Sequence, residues 1–318
     1  MDEFTLIRRN FAKAIVNESV ELGIGDDCAL LIPPPGKLLA VSMDTMVAGS
    51  HFPEEAPAKL IATRALATAL SDLAAMGAEP LWFTLGLTLP VADQEWVSEF
   101  CDGLLQFSDV HQCVLVGGDI TRGPLTITVQ VHGAIEPGKA LKRSGAQPDD
   151  IIYVTGSLGD GAAALAMLLQ QFTVRKTSQN YLNERFYRPT PRLREGQMLA
   201  GTASAAIDIS DGLFADLGHI CHASGVGAMV NVNRLPLSEH WRSSVSLDQA
   251  LSWAITGGDD YELCFTVPRN NVTKVEDWIR EERLIATAIG KITEKPEIYM
   301  INKGKAMEFD MEGYKHFD

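Results

Sequence analysis

Aspartate closes an apolar run, or follows glycine, at five places: Gly25-Asp26-Asp27, Ser42-Met43-Asp44, Gly117-Gly118-Asp119, Asp208-Ile209-Ser210-Asp211-Gly212 and Gly257-Gly258-Asp259-Asp260. Asp26 and Asp27 stand side by side in ELGIGDDCALL, with no obvious basic partner nearby in sequence. Asp72 lies instead in the Ala/Leu-rich segment 58–76, where Arg64, Thr68 and Asp72 share a helical face at i, i+4 and i+8. Taken singly, such acids read as turn residues or helix N-caps, because the side chain takes up local N–H groups. Asp211-Gly212, opening a helix, fits that reading, and Asp72 fits the solvated face of an amphipathic helix. As a set they suit a divalent cation. Glycine lets a ligand approach the backbone. Hard oxygen ligands on turns suit Mg²⁺, which keeps waters and bridges phosphates. An ion between the acids relieves their repulsion, so Asp26-Asp27 is tolerable if one or both face metal.

Other phosphate-handling motifs are missing. The Gly-Lys pairs at 36–37, 138–139, 290–291 and 304–305 lack the Ser/Thr of a P-loop, and there is no protein-kinase HRD or DFG set. Gly159-Asp160-Gly161 follows a strand and looks like a dinucleotide turn, but no acid-ended strand follows at the right distance, so tight helix packing is the better reading. His219, Cys221 and His222 have no second pair of ligands and read as packing or surface residues. His51, isolated after a strand, reads the same way.

The 318 residues are 46% hydrophobic and 21% charged, which suits a globular chain with a full core in one large domain or two medium ones. A net charge of −14 argues against nucleic acid or an anionic membrane as the main partner, and a phosphate ligand would need cations brought in. Cys28, Cys101, Cys113, Cys221 and Cys264 are odd in number, scattered and without a CxxC, as in a reduced cytoplasmic protein. The N-terminus is amphipathic rather than a signal sequence, and no apolar run is long enough to span a bilayer.

These residues need strands that end in turns, and the pattern supplies them. Helices are expected at 3–16, from Pro57 to Gly77 and at 93–108. Strands are expected at 38–42, 81–89, 113–119 (stopped by glycines) and 125–135. Residues 136–150 are broken by proline, glycine and charge and mark a domain boundary. Beyond it come a strand at IIYVTG, a Gly/Ala-rich helix from 160, a polar stretch 171–180, and Pro189 and Pro191 interrupting the helices. AAIDISDGLFADLGHICHASG reads strand, turn, helix; GAMVNVN, YELCFTV and LIATAIGKI are strand candidates, giving an α/β domain.

ELGIGDDCALL, SMDTMVAGSHF, LSDLAAMGAEP, VGGDITRGPLTIT, LKRSGAQPDD, YVTGSLGDGAAAL, AIDISDGLFADL and GGDDYELCFTVP occur in this order, and the chain ends in GYKHFD. Through nearly its whole length it resembles the thiamine-monophosphate kinase family, within the aminoimidazole ribonucleotide synthetase-like superfamily. The resemblance implies an α/β (α+β) fold of two domains. Residues 1–137 would form a ferredoxin-like unit that binds ATP and Mg²⁺ and dimerises through its sheet, and 138–318 an α/β domain, with ATP and several Mg²⁺ in the cleft between halves. ATP and thiamine monophosphate would give ADP and thiamine diphosphate. It also implies metal ligation by Asp27, Ser42, Met43 (through its backbone), Asp44, Asp72, Asp119, Asp208 and Asp211. Gly118, Asp119, Arg143 and Ser210 match ATP contacts, and Asp44, Asp72, Asp119 and Arg143 would be catalytic. His51 and Asp259 match positions near thiamine monophosphate, with Tyr314 or Phe317 closing over it. The family commonly has Glu where Asp259 stands. Asp26 and Asp260 would support the ligands or act as caps.

The acceptor phosphate is already anionic, so no strong base is required, and the missing Ser-His or Cys-His pair is no objection. The difficulty is bringing two polyanions together: two unit charges at about 4 Å cost about 4 kcal/mol at an effective dielectric near 20. Bridging Mg²⁺ offsets this, Arg143 adds a fixed positive charge, and direct in-line transfer without a phospho-enzyme follows. Other readings are a second ATP-using enzyme of the superfamily or a non-catalytic nucleotide- or cation-binding module. Selenophosphate synthetase has a reactive Cys or selenocysteine with Lys in its glycine-rich N-terminal segment. The hydrogenase maturation protein ends in Cys, where this chain has His316-Phe317-Asp318.

Overall fold

The computed structural model describes residues 3–14 and 17–307. They form two compact units, one of Met1–Leu73 with Ala78–Gly138, the other of Ala74–Gly77 with the chain from Lys139 onward.

In the first unit, α1 (Glu3–Asn10) passes into a 3-10 turn at Phe11–Lys13, shorter than the helix expected to residue 16. Asn10 turns its amide back onto the Leu6 carbonyl at 3.0 Å, a local bond that competes with helix continuation. The short strands β1 (Val20–Leu22) and β2 (Leu30–Leu31) pair across the glycine-rich loop. Then come β3 (Leu38–Val47), α2 (Ala58–Met76), β4 (Glu79–Leu89), α3 (Gln94–Val110), β5 (Val114–Arg122) and β6 (Thr126–Ile135). The sheet order is β3-β6-β4-β5, antiparallel except for the β4–β5 pair. Two helices beside a four-stranded sheet give ferredoxin-like layering; the connectivity, βαβαββ, is this unit's own.

β5 does not stop at its glycines. It crosses Gly117 and Gly118 and runs to Arg122, with one extra residue opposite Phe83–Thr84. That bulge is possible because Gly118 sits at φ +153°, where a Cβ would lie 1.9 Å from the Leu85 carbonyl. α2 is buried along most of its length, with Ala62, Leu66, Ala69, Leu70 and Ala74 fully enclosed. Small residues here let α3 come close: a Cβ on Gly103 would meet the Lys59 carbonyl at 2.3 Å. On the opposite side of the sheet, Trp82, Val114 and Val116 pack with Val20, Ala29 and Leu31, and Trp82 Nε1 donates to Ser19 Oγ at 2.8 Å. Along β3 that side stays open, with Leu39, Val41 and Met43 48%, 55% and 61% exposed.

The second unit contains β7 (Ile151–Thr155), α4 (Asp160–Leu168), α5 (Lys176–Tyr187), α6 (Leu193–Leu199), β8 (Ala205–Asp208), α7 (Leu213–Ser224) and β9 (Gly227–Asn231). It continues through α8 (Glu239–Arg242), α9 (Leu247–Thr256), β10 (Leu263–Val267), α10 (Arg269–Arg280), β11 (Ala286–Thr293), β12 (Ile298–Asn302) and β13 (Lys305–Met307). Its sheet runs β13-β12-β9-β11-β7-β10-β8, and only β12–β9 is parallel. β8 and β10 are buried at every position, which is why they read as unbroken apolar runs rather than alternating ones. The second half of the polar stretch 171–180 forms the start of α5, whose Leu182 and Phe186 are buried.

Gly103→Ala tests the α2–α3 contact. The added methyl must displace backbone, so stability is expected to fall by about 1–3 kcal/mol despite the better helix propensity of alanine. Gly117→Ala, with nothing within 4 Å of the new Cβ, should unfold close to wild type in urea.

Candidate active site

The first unit holds its acids in two groups. Ser42 and Asp44 alternate along β3 on the side that faces α2. Ser42 Oγ donates a short hydrogen bond to Asp72 Oδ2, two turns beyond the buried Arg64 on α2. Met43 points to the open side, leaving only its backbone near this group. The loop after β3 folds back so that the Val47 N–H donates to His51 Nδ1 at 3.1 Å, which puts the ring proton of neutral His51 on Nε2.

Asp119 belongs to the other side of the sheet. It is level with Gly86, which is level with Thr128, which pairs with Thr45; directly opposed residues point the same way. Asp119 lines a pocket of about 980 Å³ together with Gly118, Gln130, His132 and the glycine-rich loop that carries Asp26 and Asp27. Both loop acids are exposed, and Asp26 Oδ1 accepts the Asp27 N–H at 2.8 Å, so Asp26 serves as a local cap. His132 Nδ1 faces no partner, and burial lowers the pKa of its ring. Sequence reading passed over His132 and Gln130 because they look like ordinary alternating strand residues.

The second unit builds one further cluster from two loops lying side by side. The Asp259 N–H donates to the Ser210 carbonyl (2.9 Å), the Tyr261 N–H to Ile209 (2.8 Å) and the Ile209 N–H to Glu262 (2.8 Å). Two glycines make this closeness possible. A Cβ on Gly258 would meet the Ser210 carbonyl at 2.3 Å, and one on Gly212, at φ +111°, would meet Thr256 at 2.8 Å. Asp208, Ser210, Asp211 and Asp259 are thereby gathered at the end of β8. So is Asp216, which no sequence motif singles out. Its Oδ2 accepts the N–H groups of Ser210 and Asp211, both at 3.1 Å, from inside the first turns of α7. Burial, then the charge of Asp208, pushes its carboxyl up to about 7.

Beneath Asp259 lies a buried ionic network. Glu262 accepts from Arg192 Nε (2.6 Å), Arg185 Nη2 (2.9 Å) and Thr155 Oγ1 (2.6 Å). Asp160 accepts from Tyr181, Ser157, Arg185 and Trp241 Nε1. Asp260 takes the N–H groups of Gly159 and Gly161 at 2.7 and 3.0 Å, so it caps α4. Arg143 is exposed, on a loop pinned by Ser224 Oγ, which accepts from Gly145 and Ala146 N–H. His219 and His222 are exposed on α7. Tyr314 and Phe317 lie outside the described residues.

Among the described residues no three His, Cys, Asp or Glu side chains form a ready metal cage. The donors are nonetheless hard carboxylate, hydroxyl and carbonyl oxygens in partial sets, and Asp26, Asp27 and Asp119 line the pocket. That fits Mg²⁺, which takes one or two carboxylates per ion and fills its octahedron with water and phosphate.

Models of AIR synthase related proteins match the chain, the N-terminal domain over residues 25–135 and the C-terminal domain over 147–303. The thiamine-monophosphate kinase of Salmonella typhimurium is 50% identical, with 99% of this chain and 98% of that protein aligned. The chain belongs to the thiamine-monophosphate kinase family. Escherichia coli K12 has a relative of the same name at 48% identity over the same share of each chain. The crystal structure of thiamine-monophosphate kinase from Stenotrophomonas maltophilia superposes with a TM-score of 0.88 at 42% identity, covering 96% of this chain and 98% of that one. AaThiL complexed with AMPPCP and TMP superposes at 0.79 with 29% identity, covering 99% and 96%. As a member of this family the chain is a kinase. Escherichia coli HypE, at 23% identity and a TM-score of 0.79, shares the fold.

The ionic network sets an acid limit on stability. Burial alone would raise the Glu262 pKa, but Arg185 and Arg192 outweigh it and hold the carboxyl below its ordinary 4.5. A depressed carboxyl contributes its full stability above the unfolded-state value and loses it as pH falls through the folded one. Glu262→Gln should therefore cost about 3–5 kcal/mol near pH 7 by leaving the two guanidinium groups underpaired. The deficit should shrink below pH 4.5, read as urea midpoints across pH 3–7.

Proposed function

We propose that this kinase transfers the γ-phosphoryl group of ATP to the phosphate of thiamine monophosphate, giving ADP and thiamine diphosphate, by direct in-line displacement with several Mg²⁺ ions. The observation that carries this is identity of 50% to a thiamine-monophosphate kinase with both chains aligned almost end to end. The complex of AaThiL with AMPPCP and TMP supports the substrate pair.

Asp27, Ser42, the Met43 carbonyl, Asp44, Asp72, Asp119, Asp208 and Asp211 would hold the Mg²⁺, which when bound supplies charge neutralisation between the two phosphate groups and polarises the one being transferred. The chain's own contribution is placement. The Gly118 backbone and Asp119 would meet ATP, as would Ser210 and the loop-borne Arg143. Asp44, Asp72, Asp119 and Arg143 are the residues on which the transfer rate depends. His51, its Nδ1 engaged by the backbone, offers the Nε2 hydrogen to thiamine monophosphate, and Asp259 contacts the same substrate, with Tyr314 or Phe317 covering it. The acceptor oxygen is already anionic, so no residue needs to remove a proton.

The first unit serves ATP and Mg²⁺ binding and, through the open side of β3, joins a second copy. The exposed Leu39, Val41 and Met43 form an apolar stripe on an edge strand, a surface that water disfavours. The described cysteines carry no disulfide, which agrees with a cytoplasmic setting.

Incubation with ATP, Mg²⁺ and thiamine monophosphate should yield thiamine diphosphate, with inversion at a chiral γ-phosphorus. No product would remove the kinase reading in favour of a nucleotide-binding module, and retention would point to a phospho-enzyme. Asp119→Asn should lower kcat by at least about a hundredfold at unchanged thermal stability, because the residue is exposed and electrostatic stabilisation of the transferring group is lost. Val41→Lys should move the protein from dimer to monomer in sedimentation.

A further inference from the structure

We propose that Tyr261 is a positioning residue that orients the Asp259 carboxylate toward the phosphate-accepting substrate; this rests on Asp259 contacting that substrate. In the loop from Gly258 to Glu262, Asp259 is half-buried and the three residues after it are buried. Asp260 and Glu262 point into the unit and are 1% and 0% exposed, the first bonded to the turn that opens α4, the second to Arg185 and Arg192. Asp259 and Tyr261 both lie in the left-handed region, at φ 69° and 52°. Such conformations are uncommon for residues other than glycine, and a large aromatic side chain tolerates them poorly. They persist where surrounding contacts over-determine them, and two so close together mark a backbone bent for a purpose.

The bend has a visible product. Tyr261, 9% exposed, donates its hydroxyl to Asp259 Oδ1 at 3.1 Å. The Asp259 N–H is fixed on Ser210 and its carbonyl lies against Gly161, 2.5 Å from where a Cβ would stand. The backbone of Asp259 is thus held on two sides, and one carboxylate oxygen is tethered by the phenol. The carboxylate is presented in one orientation rather than swept through several, which lowers the entropy a substrate must remove on binding.

Tyr261→Phe keeps the ring and removes the hydroxyl that bonds Asp259. The Michaelis constant for thiamine monophosphate should rise about tenfold, that for ATP should stay within about twofold, and Tm should hardly move. Adding Tyr261→Phe to Asp259→Asn should make nothing worse than Asp259→Asn alone, since the tether acts through Asp259. Three results overturn the proposal while sparing the Asp259 contact: an unchanged acceptor KM in Tyr261→Phe, a lower Tm as its only effect, or full additivity in the double variant. An unchanged acceptor KM in Asp259→Asn would instead remove the contact itself, and the positioning role with it.

Discussion

Repulsion between carboxylates at short range is the constraint around which both units are organised. At an effective dielectric near 20 each close pair costs about 4 kcal/mol, comparable to a large share of a domain's net stability. The chain answers in two ways. Asp160, Asp260 and Glu262 are buried and receive a full complement of arginine, hydroxyl, indole and backbone donors. Asp27 and Asp119 are left exposed beside a large pocket. The first kind stabilises the loop that carries Asp259. The second kind remains open to solvent, on a chain of net charge −14.

Backbone geometry decides which acid is of which kind. The bulge before Gly118 takes up one residue of β5, and the residues beyond it pair with β4 in the shifted register that sets Asp119 on the pocket side. Without that extra residue the alternation of side chains would turn Asp119 over, since a one-residue slip exchanges the two faces of a strand. Gly212 and Gly258 act similarly in the second unit, where contacts shorter than any Cβ permits lock the loop of Ser210 against the loop of Asp259.

The long helices and most strands were legible because they depend on local periodicity and turn chemistry. The strands of the first unit run longer than their apolar cores, as β3 does through Ser42–Val47, where Ser42 and Asp44 face α2 and Thr45 the open side. The residues that went unread share a common reason. Asp216 is an unremarked acid in the first turn of α7 and becomes part of the cluster through the N–H groups of Ser210 and Asp211. His132 and Gln130 join the pocket through cross-strand neighbours far away in sequence. The division of Asp44 and Asp119 between opposite sides of one sheet likewise depends on register, which no single segment encodes.

The glycine turn at 159–161 shows how a misleading motif is resolved physically. A glycine-rich turn that opens a helix presents backbone N–H groups at a positive dipole end, and this attracts phosphate. Here those N–H groups are already satisfied by the carboxyl oxygens of Asp260, and Gly161 has the Asp259 carbonyl pressed against it. The place a pyrophosphate would take is filled from within the chain. What resembles a nucleotide site is therefore an internal latch that ties α4 to the Asp259 loop. The same carboxyl that closes one anion site thereby helps to hold the neighbouring Asp259 loop in place.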